Sequence, residues 1–119
     1  EEKIRFAADF INETIKNKKT VLWGASRVLK RMLEKNMLEK SNILGIVDIN
    51  PSLQGKMFGG LAVYPPKSLK ELKPQQICSA VVTTPEMKFK IKNTLQNEGI
   101  SGDFEILDDL FECFQNFVD

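Results

Sequence analysis

The 119-residue chain contains no histidine, and that absence excludes more function than any residue it does contain. Without imidazole there is no Ser-His-Asp or Cys-His nucleophile, no His-containing zinc site and no histidine acid–base step. Cysteine is almost as scarce: Cys78 and Cys113 cannot fill a four-ligand metal site between them. Both read as reduced packing residues of an intracellular protein, because free cysteines behave as small core hydrophobes. The sequence leaves a disulfide between the two open. Net charge is also nearly lacking. Seventeen Lys and Arg stand against sixteen Asp and Glu, so +1 remains and no global field draws in nucleic acid or an anionic membrane. Apolar runs of the roughly 20 residues that cross a bilayer are missing. The opening Glu1-Glu2-Lys3 lacks the basic-then-apolar layout of a signal peptide. These features predict a cytoplasmic protein with no membrane insertion and no nucleic-acid partner.

What is present is a hydrophobic fraction of 42% with 28% charged residues, the balance of one folded domain spanning residues 1–119. An N-terminal helix within residues 1–18 follows from Ile4, Ala7, Ala8, Ile11 and Ile15 at i, i+3, i+4, i+7 spacing. Phe6 and Phe10 fall on an adjoining face of it. Short apolar strands are expected at 20–23, 43–48, 61–64, 77–83 and 104–107. Helices are expected at 27–39, at 67–72, from Pro85 to about Glu98, and after Asp108. Residues 52–60, with Gly55, Gly59 and Gly60, read as a loop.

Continuously apolar strands alternating with amphipathic helices predict an α/β, three-layer Rossmann-like fold. Its mainly parallel five-stranded sheet should have the order 3-2-1-4-5. Ligands of such sheets sit outside the carboxyl ends of the strands, at the switch point between strands 1 and 4. Those ends are Gly24-Ala25-Ser26-Arg27, Asp48-Ile49-Asn50-Pro51 and Thr83-Thr84-Pro85.

The first of these stands where a dinucleotide fingerprint G-x-G-x-x-G would stand, but only its first glycine is kept. Ser26 and Leu29 occupy the other two glycine positions. The tight turn survives, the helix N-terminus still favours an anion, and Arg27, Lys30 and Arg31 add cations. A phosphate-bearing small molecule should therefore contact the amides from Ala25 to Arg27. The alternative is a structural turn with an idle anion hole. Asp48 reads equally well as an acceptor of ribose hydroxyls, favouring NAD-like over 2′-phosphorylated ligands, and as an Asx-type cap of the Asn50-Pro51 turn. Thr83 and Thr84 stand where hydroxyls could touch a ligand, and also where a helix needs a cap. Catalytic residues are not found. Tyr64 is the sole tyrosine, Ser68 follows it at i+4 and Pro65-Pro66 intervene, so the Tyr-x-x-x-Lys pair of short-chain dehydrogenases is missing. Lys88, Lys90 and Lys92 alternate along a helix and read as a solvated surface.

Gly24-Ala25-Ser26, Gly45-Ile46-Val47-Asp48-Ile49-Asn50-Pro51, Gly55-Lys56 and Gly60-Leu61-Ala62-Val63 together resemble a pattern of bacterial polysaccharide-biosynthesis proteins. The pattern is similar to Rossmann-like domains of nucleotide-sugar dehydratases and PglD-type sugar acetyltransferases, and to the C-terminal domains of sugar C-methyltransferases. The resemblance covers about residues 20–109. It implies an accessory module, excised from a longer chain, that binds a nucleotide, a nucleotide-sugar or a dinucleotide such as NAD; the strand ends above offer Gly24, Ala25, Ser26, Arg27, Asp48, Thr83 and Thr84 as its contacts. No metal is implied. Catalysis would lie elsewhere in a sugar-modifying transferase or dehydratase. The competing expectation is a non-catalytic structural or interaction domain with a degenerate ligand site. The double apolar stripe of the first helix predicts contact with another domain of the parent protein or with a second copy of this chain.

Overall fold

The computed structural model describes residues 2–81 and 87–107. The expected strand residues 82–83, Thr83 and Thr84 as site residues, the final helix and Cys113 lie outside the described residues, as do the side chains of Ile4, Phe6, Ala7 and Phe10. The elements in order are α1 (Glu2–Ile15), β1 (Thr20–Trp23), α2 (Arg27–Glu34), β2 (Ile43–Val47), β3 (Met57–Phe58) and β4 (Leu61–Tyr64). A 3₁₀ turn (Pro66–Ser68), α3 (Leu69–Leu72), β5 (Gln76–Ser79), α4 (Met87–Asn97) and β6 (Glu105–Leu107) follow.

Six strands form one sheet in the order β3-β4-β2-β1-β5-β6. Every pairing is parallel except β3 with β4. The predicted order 3-2-1-4-5 is therefore present, with β1 between β2 and β5. The addition is β3, a two-residue antiparallel edge inside the stretch read as a glycine loop. Two residues carry no legible period, so no pattern could have announced it.

Alternation along the central strands divides the core. Leu22, Ile46, Cys78 and Ala80 pack with Ala8, Ile11 and Ile15 of α1 and Leu29, Met32 and Leu33 of α2. Val21, Trp23, Val47 and Ile77 point the other way, onto Leu69 of α3 and Met87, Ile91 and Leu95 of α4. Strands buried on both faces explain the unbroken apolar runs.

Two elements are shorter than their patterns suggest. The helix expected to run to residue 39 ends at Glu34 because Asn36 turns left-handed at φ 54°. Its amide bonds Leu33 O at 3.1 Å and that of Met37 bonds Met32 O at 2.9 Å. This double closure brings Met37 and Leu38 back into the core. Strand β5 stops at Ser79 rather than continuing toward 83. The Ala80 amide makes a last bond to Trp23 O, and the Val81 amide then turns to Ser79 Oγ at 3.2 Å. The hydroxyl draws the chain out of the ladder.

Candidate functional site at the switch point

The carboxyl ends of β1, β2 and β5 meet at Gly24, Asp48 and Val81. Gly24 donates to Val47 O at 2.7 Å and turns at φ 104°. A Cβ at this position would collide with Cγ2 of Val81. Glycine is thus required twice, by the backbone angle and by the neighbouring strand end. The tight turn expected from the sequence is there, and the residue that crowds it is Val81.

Asp48 fulfils its turn-capping role and does more. Oδ1 accepts from the Asn50 amide at 2.8 Å, while Oδ2 accepts from the Ala25 amide at 2.8 Å. Asn50 repeats the device: its Oδ1 accepts from the Ser52 amide at 3.0 Å and the Ser52 hydroxyl at 2.9 Å. Gln54 Nε2 then donates back to Asp48 O at 2.8 Å. Asp-x-Asn-Pro-Ser is thus a chain of Asx turns that fixes the loop after β2 and ties it to the loop after β1. Each Asp48 oxygen still has accepting capacity for a further hydroxyl.

Ser26 is the N-cap of α2: its Oγ accepts from the Leu29 amide at 3.1 Å, which leaves its own proton to donate. The expected amide row at Ala25–Arg27 is narrower than its sequence suggests. Ala25 donates to Asp48, and Ser26 donates to Gly24 O at 3.1 Å. Among the described residues, the Arg27 and Val28 amides carry no hydrogen bond, so the anion-facing donors sit one residue further along. The Arg27 side chain is exposed beside them, and no acidic residue occupies the first turn. Leu29, where a third glycine would stand, is fully buried in the core.

Next to this turn, on the α4 side of the sheet, an open cleft of about 280 Å³ is lined by Trp23, Gly24, Asp48, Ile49, Val81, Met87, Lys90 and Thr94. Ile49 is 62% exposed, a large apolar side chain left in water at the cleft wall. Among the described residues, the cleft thus combines apolar surfaces (Trp23, Ile49, Val81, Met87) with one carboxylate, one ammonium and one hydroxyl. Such a mixture suits a flat, polar-edged group better than a purely apolar one. The structure brings Gly24, Ala25, Ser26 and Asp48, all expected from the sequence, close together, and Arg27 follows at the start of α2. Sequence reasoning missed Val81, Ile49, Lys90 and Thr94. The i, i+4 spacing of Lys90 and Thr94 was visible, but the side of α4 that meets the cleft depends on how the helix sits on the sheet.

Among the described residues, no titratable pair of catalytic type adjoins the cleft. Cys78, fully buried under the sheet, has its thiol pKa pushed up to about 12 by burial, reinforced by the Glu105 carboxylate and opposed by Lys18. It is a packing residue, as expected. Among the described residues, no group of three or more His, Cys, Asp or Glu could hold a metal ion, and no helix is long and apolar enough to cross a membrane.

Similar architecture occurs in solved structures. UDP-D-quinovosamine 4-dehydrogenase from Vibrio fischeri superposes with a TM-score of 0.56 at 17% identity, covering 76% of this chain and 76% of that one. The Rex-family repressor RSP superposes at 0.50 with 18% identity, covering 75% of this chain and 51% of that one. The present chain thus spans about half of the repressor. At these identities the likeness is one of fold alone, a Rossmann-like α/β architecture. No curated protein matches the sequence. Residues 16–106 match the family model described as C2185-like, N-terminal, a range that takes in the sheet up to Ile106 of β6 and the cleft, and the chain belongs to that family.

Proposed function

We propose that this chain is a nucleotide-binding module that takes a nucleotide, a nucleotide-sugar or a dinucleotide such as NAD at the switch point. The observation that carries the reading is the joining of the Gly24 turn to Asp48 through the Ala25 amide, at the edge of the open cleft. That link places an anion-favouring helix start and a hydroxyl-accepting carboxylate beside one apolar slot. The nucleobase lies in the slot against Ile49 and Val81, ribose hydroxyls donate to Asp48, and phosphate meets the Arg27 and Val28 amides with Arg27 alongside. Ser26 Oγ–H is a further donor to phosphate. Replacement of two fingerprint glycines weakens the phosphate grip without touching the slot.

The polysaccharide motifs support a setting in a bacterial sugar-modifying enzyme, a transferase or dehydratase whose chemistry lies outside this module. The UDP-sugar substrate named for the Vibrio fischeri enzyme fits the same setting. The first helix, through Phe6 and Phe10, is the surface by which the module meets another domain or a second copy.

A second reading, a structural domain with a vestigial site, draws support from Gly24: its crowding by Val81 explains the glycine with no ligand. Thermal-shift titration with NAD, coenzyme A and UDP-glucose separates the two. At least one compound should raise the melting temperature, and Arg27→Ala should weaken its binding by about 1–2 kcal/mol, the worth of a charge-assisted hydrogen bond. Absence of any shift at millimolar concentration would favour the structural reading.

A further inference from the structure

The near-zero net charge of the chain hides an uneven distribution. The elements on the α3–α4 side of the sheet expose Lys67, Lys70, Lys73, Lys88, Lys90 and Lys92. Against these six, the same elements and the loop from α4 to β6 expose three acids among the described residues, Glu71, Glu98 and Asp103. The three arginines of the chain, Arg5, Arg27 and Arg31, are all on α1 and α2, which cover the opposite face. On α4, Met87, Ile91 and Leu95 form the buried seam, so helical geometry puts Phe89 on the outward side, where it is 64% exposed.

We propose that this lysine face, with Phe89 at its crest, docks the protein peripherally on a bilayer rich in acidic phospholipid. Protein–protein interfaces are depleted in lysine and enriched in arginine, whose planar fork gives directional pairing. A face carrying lysine alone matches a diffuse anionic surface, where compact ammonium groups attract without fixed partners. Each lysine near such a surface improves partition roughly fivefold. A phenylalanine among them settles at the headgroup level, as aromatic residues do on interfacial helices.

Co-sedimentation with vesicles tests the proposal, comparing phosphatidylglycerol–phosphatidylcholine mixtures with phosphatidylcholine alone. The chain should bind the mixed vesicles at low ionic strength, lose at least tenfold in partition between 50 and 300 mM salt as screening shortens, and ignore phosphatidylcholine. Lys70→Glu with Lys92→Glu should lower partition at least twentyfold. Lys16→Glu with Lys56→Glu, the same net charge placed off this face, should lower it less than threefold. Phe89→Ser should lower partition several-fold at unchanged charge, and it decides the matter should the double reversal fail to fold. Absence of binding to acidic vesicles, equal losses in the two double variants, or preference for poly-glutamate over vesicles, which would point to an acidic protein, would each overturn the proposal.

Discussion

At the scale of single residues, the site depends on positions whose roles differ from their sequence appearance. Gly24 looks like the remnant of a fingerprint, yet its replacement is opposed by Val81 as well as by its own φ. Gly24→Ala should therefore destabilise the fold by at least about 2 kcal/mol in chemical denaturation, from backbone strain and overlap together. Asp48 was legible as an acid at the end of β2. Its grip on the Ala25 amide was not, because the contact spans 23 residues and depends on β1 and β2 lying side by side. Cys78 supplies a pH-dependent signature. Its folded-state pKa, about 12, lies above the ordinary thiol value of 9.0, so the folded state holds the proton that the unfolded state releases. Stability from this group is fully present below pH 9 and is lost as pH rises from there toward 12, at up to about 1.4 kcal/mol per pH unit. Denaturant midpoints across pH 8–11 should fall more steeply for the parent chain than for Cys78→Ala.

Among the elements, what was legible follows from how each one is specified. The five expected strands appear in the expected order because continuous apolar runs between helical patterns leave few ways to bury both faces of a sheet. The small edge β3 was not legible, since a pair of bonds to β4 creates it. Helix ends divide in the same way. At the end of α4, Gly99 at φ 66° closes with Ile100 donating to Leu95 O at 2.8 Å, and the glycine marked that stop in advance. At the end of α2, Asn36 performs the same closure, but the apolar period continues through Met37 and Leu38 and conceals it. The two glycine sites make a controlled comparison. A Cβ at Gly99 meets nothing within 4 Å, so Gly99→Ala should cost about 1 kcal/mol, the backbone strain without a collision. Equal losses at Gly24 and Gly99 would show that Val81 does not crowd the switch point.

For the whole molecule, one sheet divides the labour between its faces. The α1–α2 side carries the chain's arginines and the helix start at which an anion would bind. The α3–α4 side carries the cleft and the six lysines from Lys67 to Lys92. If the first helix docks on a second copy, Phe6→Ser with Phe10→Ser should shift sedimentation toward monomer while the melting temperature at low concentration stays near that of the parent. A variant destabilised at every concentration, beside a strictly monomeric parent, would assign both rings to the module's own core. The central claim concerns the switch point, and amide chemical shifts read it residue by residue during titration with the nucleotide that gives the largest thermal shift. The account predicts that shifts concentrate at Gly24, Arg27, Val28, Ile49, Lys90 and Thr94 and saturate together. Shifts gathered instead along Tyr64–Leu72, or none at saturating nucleotide, would contradict it.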